Sequence, residues 1–203
     1  DALLERAQAK AGTEAAQAVL MGVLCQRARV AAQRGDDAGA TAWFAKADAV
    51  PARGQALYAN QVVFCDLARA DAEVLAGRSA QAIERLRPYL RGPAGTPHSA
   101  SIEQVTALLA GRAWLAAGDL ANARPAADSA LALARRLQAD NRHSSRTGEA
   151  LLLLAGVQGA AHEADAARVT LSEAVEHLEA TVEASQRWLV QARRMQSEWQ
   201  ARR

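Results

Sequence analysis

No stretch of this chain alternates apolar and polar residues with period two, and alanine-rich, helix-favouring runs fill the intervals between short turns. Four turns fall at near-constant spacing: Gly35-Asp36, Gly77-Arg78, Gly118-Asp119 and His162-Glu163, separated by 42, 41 and 44 residues. A fixed period of this size predicts stacked helical hairpins and essentially no sheet. Gly159 is a rival for the fourth turn, 41 residues after Gly118, but only the His162 register keeps Ala167, Leu171 and Ala174 in step with the earlier repeats. The predicted hairpins cover about residues 13–50, 55–91, 99–138 and 144–184, preceded by a short helix over 2–11 and followed by a terminal helix over 185–203. The run from Arg91 to Pro97, with two prolines and two glycines, is the strongest breaker. No Gly or Pro separates the fourth hairpin from the terminal helix, which leaves one continuous helix open there.

The positions around each turn repeat as well. Seven residues before it stands a small residue (Ala28, Ala70, Gly111, Ala155), and five after it an alanine (Ala40, Ala82, Ala123, Ala167). Nine after come Phe44, Leu86, Ala127 and Leu171; twelve after come Ala47, Tyr89, Ala130 and Ala174. Small side chains are needed where antiparallel helices cross, because the distance between axes depends on the residues at the contact. Gly111 inside a helix costs about 1 kcal/mol relative to Ala, so its presence predicts close backbone approach.

The third repeat, Gly111-Arg-Ala-Trp114-Leu-Ala-Ala-Gly118-Asp-Leu-Ala-Asn-Ala123, followed by Ala127 and Ala130-Leu131, resembles a tetratricopeptide repeat. It carries that family's small-x-x-aromatic, Gly, Ala and Ala-Leu pattern. The other repeats match more loosely, with residues such as Ala31 and Glu73 in the place of Trp114. The period exceeds the family's usual ~34 residues and is closer to its long-helix variety; HEAT-like helical pairs are the second architecture. The resemblance spans roughly residues 13–184. It implies a single right-handed α-solenoid domain over 1–203, first helices that line a concave groove, and a role as adaptor, assembly scaffold or interaction module.

Charge changes that picture little. The net charge is +2, so the whole-chain field implies neither a nucleic-acid nor a strongly acidic partner. Its distribution is uneven: Glu149, Glu163, Asp165, Glu173, Glu176, Glu179 and Glu183 precede a terminal helix with Arg187, Arg193, Arg194, Arg202 and Arg203. An acidic hairpin beside its basic cap is the preferred reading. No apolar run is long enough to span a bilayer. Cys25 and Cys65 sit on the first helices of successive repeats, where axes about 8–10 Å apart predict two packed, free thiols. Cytoplasm is therefore the expected compartment, with the periplasm left open because the chain starts at Asp1 without Met and reads as processed or excised. Arg outnumbers Lys heavily, which points to a GC-rich bacterial source.

Reactive motifs are absent from the sequence. His162-Glu163 does not continue into His-Glu-x-x-His, because residue 166 is Ala, and no Gly-x-Ser-x-Gly, Gly-x-Gly-x-x-Gly or Cys-x-x-Cys occurs. No catalytic residue, metal or cofactor is expected. Binding is instead assigned to the inner surface. Arg29, Asp71 and Arg112 lie six residues before their turns, with Cys25, Leu67 and Leu108 one helical turn earlier, and Gly22, Phe64 and Val105 before them. The predicted groove is thus Arg29, Phe64, Leu67, Asp71, Leu108 and Arg112, with the two arginines exposed and a protein, peptide or amphipathic helix as partner. The family's carboxylate-binding Lys, Arg and Asn arrangement is missing. On the terminal helix Trp188, Ala192, Met195 and Trp199 share one apolar stripe. That stripe either caps the fold or, in the alternative reading, makes the helix an oligomerisation or nucleic-acid-binding element of a regulatory domain.

Overall fold

The computed structural model describes residues 14–51, 59–90 and 99–201, and the expected helix over 2–11 lies outside them. Among the described residues the chain is all-helical, with no strand. The helices are α1 (Glu14–Gln33), α2 (Asp37–Asp48), α3 (Ala59–Leu75), α4 (Ser79–Leu90), α5 (Ala100–Ala116), α6 (Leu120–Leu137), α7 (Ser145–Ala160), α8 (Ala164–Glu179) and α9 (Arg187–Gln200). They fall into two compact units, Asp1–Leu86 and Arg87–Arg203.

The turns between paired helices share one construction. Gly35, Gly77, Gly118 and His162 have positive φ, and each donates its N–H three residues back. The following residue donates five residues back, to Ala31, Glu73, Trp114 and Gln158 in turn. This double closure satisfies carbonyls that a helix end otherwise leaves orphaned. The residue after the turn then starts the next helix: the side chains of Asp36 and Asp119 accept from the N–H groups of Gly39 and Asn122. The fourth turn falls at His162, and Gly159 stays inside α7.

In the first unit α1 packs on α2 and runs along α3. Ala28, Ala40, Phe44 and Ala47 are buried there with Met21, Leu24 and Ala68. A disulfide joins Cys25 of α1 to Cys65 of α3, with Cα atoms 5.2 Å apart, so the expectation of two free thiols is corrected. The error lay in the distance used. Axes 8–10 Å apart leave Cα atoms far closer when both lie on the facing sides of cylinders about 2.3 Å in radius. One turn further along, the Arg29 Nε–H donates to Asp71 at 2.7 Å and Gln33 donates to the same oxygen at 3.1 Å. Asp71 is fully buried, and such a carboxylate must be paired to be tolerated. The hairpin α3–α4 is held by Arg85, which reaches Glu73 at 2.7 Å and Asp66 at 3.5 Å.

The second unit has a different junction: α6 packs along α7, while α5 and α6, and α7 and α8, form the hairpins. Glycines permit its close approaches. A Cβ on Gly111 would lie 2.7 Å from Leu153 Cδ2 of α7 and 3.4 Å from Ala126 Cβ of α6, and one on Gly148 would lie 2.8 Å from Leu178 of α8. Ala123, Ala127, Ala130 and Ala174 are completely buried. The continuous final helix left open by the sequence does not form. It breaks between Glu179 and Arg187, where the Gln186 side chain accepts from the N–H groups of Trp188 and Leu189.

Candidate functional site

A groove of about 790 Å³ opens on the first unit, along the face of α1 opposite its core. Its floor is the stripe Val19, Val23 and Val30, with Gly22 and Gln26 beside it; Trp43 of α2 forms one wall and Gln61 and Phe64 of α3 the other. The three valines and Phe64 are all substantially exposed, Phe64 at 51%. Helix α1 is therefore apolar on two sides, since Met21, Leu24, Cys25 and Ala28 point into the core. The Gln61 amide lies against Gly22 at the base of the groove.

The rim is cationic. The Arg27 guanidinium and the Lys46 ammonium lie 4.9 and 4.2 Å from the centre of the Trp43 ring, and Arg34 stands exposed at the end of α1. Asp36, a carboxylate among the described lining residues, accepts the Gly39 N–H at 2.8 Å as a helix cap.

Of the residues expected to form a groove, Phe64 lines this one. Leu67 and Leu108 are buried, and Asp71 is the covered partner of Arg29. The exposure expected for Arg29 and Arg112 is not found: Arg29 is half-buried and tied to Asp71, and Arg112 is covered further. Its side chain is 10% exposed, paired with Glu149 of α7 at 3.0 Å, and its guanidinium lies 3.7 Å from the centre of the Trp188 ring. That contact comes from α9, whose arrival over α5 no repeat position announces. The valine stripe was missed because it falls between the repeat-equivalent positions. Its signal was the i, i+4, i+11 spacing of three β-branched residues within an alanine-rich helix.

On the terminal helix Trp188 is 5% exposed, Leu189 and Ala192 are buried, and Met195 and Trp199 are half-buried. Trp199 fits over Gly159 of α7, where a Cβ would come within 2.9 Å of the ring. Arg193 pairs with Glu179 of α8 at 2.8 Å and Arg194 with Glu198 at 2.8 Å.

Titratable chemistry gathers at one other place. His177 of α8 accepts the Ser144 N–H through Nδ1 at 3.1 Å, and its ring meets that of His143 edge-on at 5.6 Å. With Nδ1 accepting, a neutral His177 carries its proton on Nε2 and has no lone pair there for a metal. Burial pushes its pKa down; Glu173 opposes this and the His143 charge adds to it. Among the described residues no group of three His, Cys, Asp or Glu side chains could hold a metal ion.

Comparison with known protein families, with characterised proteins and with solved structures finds no match to this chain.

Proposed function

We propose that this chain is a non-enzymatic interaction module of the tetratricopeptide type, a right-handed stack of helical hairpins that binds a peptide or helix from another protein. The observation that carries the reading is α1, whose outward valine stripe, walled by Trp43 and Phe64, forms a groove of about 790 Å³. Contiguous exposed apolar surface bounded by polar residues is the usual mark of an interaction site. The binding surface is thereby moved from the predicted line through Leu67, Leu108 and Arg112 to Val19, Val23, Val30, Trp43 and Phe64.

The terminal helix is the weaker candidate. Trp188 is committed to Arg112, and Arg193 and Arg194 to nearby carboxylates, which supports a capping role over oligomerisation or nucleic-acid binding. Among the described residues no helix is long and apolar enough to cross a membrane. The Cys25–Cys65 bridge favours an oxidising compartment over the cytoplasm.

Affinity capture from the native lysate tests the reading when wild type is compared with Val23→Asp and Phe64→Asp. Both positions are exposed, so thermal unfolding should stay unchanged within the small range of surface substitutions. A partner retained by wild type and lost by both variants supports the groove. A partner held equally by all three places binding elsewhere.

A further inference from the structure

We propose that the occupant of the α1 groove is an acidic amphipathic α-helix of about three turns, supplied by another protein. This rests on the groove being the binding surface and goes on to specify what fits it.

Length comes first. Val19 and Val30 stand eleven positions apart on α1, about 16 Å at 1.5 Å per residue, which matches three turns of a helix lying alongside. Backbone chemistry then selects a helix over an extended peptide. The α1, α2 and α3 backbones that carry the walls have their polar groups tied up in their own helices, so no free edge is offered to a strand. An extended chain lying on Val19, Val23 and Val30 would bury N–H and C=O groups without partners, whereas a helix satisfies its own. The valines stand at i, i+4 and i+11 of α1, so apolar side chains recurring at i, i+4, i+7 and i+11 along such a helix would run the length of the stripe.

Charge selects among amphipathic helices. Arg34 stands at one end of the groove and Lys46 lies against Trp43 of its α2 wall, while Asp36, the acidic side chain among the described lining residues, accepts the Gly39 N–H as the cap of α2. Glutamates flanking the apolar stripe of a partner would meet a positive rim; lysines would be repelled. These are part-exposed pairs, each of modest strength and screened by salt, so together they give about a tenfold preference.

The experiment uses the full chain and three synthetic labelled helices sharing one Leu/Ala stripe but carrying Glu, Gln or Lys on its flanks. Fluorescence anisotropy should rank affinity Glu above Gln above Lys, with a span of about tenfold that shrinks at high salt. Arg34→Glu combined with Lys46→Glu should invert the ranking without moving the unfolding midpoint. Equal binding of all three helices, still abolished by Phe64→Asp or Val23→Asp, would overturn the acidic-partner inference and leave the groove reading standing. No binding by any helix, or binding indifferent to both groove variants, would overturn both. If Leu3→Asp with Leu4→Asp raises the affinity of all three helices many-fold, the occupant is the leading segment of this chain. If the helices instead dissolve a concentration-dependent dimer, the occupant is a second copy. Either result rejects a foreign partner.

Discussion

Left-handed backbone at the four turns is the most demanding residue-level feature of this chain. Gly118 has φ 76°, and a side chain there costs about 1–2 kcal/mol, so Gly118→Ala should lower the unfolding free energy by that amount. His162 adopts φ 64° without being glycine; His162→Gly should raise stability by up to about 1 kcal/mol, and chemical denaturation of both variants checks the pair. His177 supplies a pH signature. Its folded pKa lies below the ordinary 6.5, so the unfolded chain binds more protons, and stability is full above pH 6.5 and falls as the pH drops through the folded value. Protonation also turns the Nδ1 acceptor toward Ser144 into a donor. Glu173, Glu176, His143 and Arg135 are the charges that face it. Melting curves between pH 7.5 and 5 should show a loss that His177→Gln diminishes; parallel profiles would exclude His177 as the cause. At this scale the turns were legible, because positive φ demands glycine and its spacing is visible. The Gln186 cap was not, since glutamine is outside the favoured cap residues. Nor was the cysteine pairing, which depends on how two helices are rotated about their axes.

At the scale of elements, each hairpin owes its geometry to a small residue at the crossing, and those positions could be read from the repeat. What could not be read was how one hairpin meets the next: α1 runs along α3 in the first unit, whereas α6 runs along α7 in the second. The disulfide and the Arg29–Asp71 pair hold the first junction. Thiol titration of the denatured, unreduced chain should therefore find none, and reduction should cost about 2–4 kcal/mol. Arg29→Ala should also destabilise strongly, by about 3–5 kcal/mol, because it leaves Asp71 buried without its ion-pair partner. Helix α9 closes the second unit through Trp188. Trp188→Ala should cost about 3–5 kcal/mol, and Arg112→Ala should lose part of the same stability rather than add to it, since the two side chains are in contact. Stability unchanged in Trp188→Ala would remove the capping role.

For the molecule as a whole, a net charge of +2 leaves specificity to local surface rather than to a global field. The sequence reading placed that surface along repeat-equivalent positions of successive first helices, and in the second unit it led to Leu108 and Arg112, which are covered. Equivalence by period identifies residues that meet a neighbouring helix as readily as residues that meet a ligand, so periodicity alone could not separate them. Phe64 lines a groove and was picked out because it is large and stands where the first helices share a face; Val19, Val23 and Val30 drew notice once α1 was seen to be apolar on the side away from its core. The most direct measurement is hydrogen–deuterium exchange of the full chain with and without the Glu-flanked helix. Slowed exchange should be confined to α1, the Trp43 stretch of α2 and the beginning of α3. Protection centred on α9, with α1 unaffected, would contradict the assignment of binding to this groove.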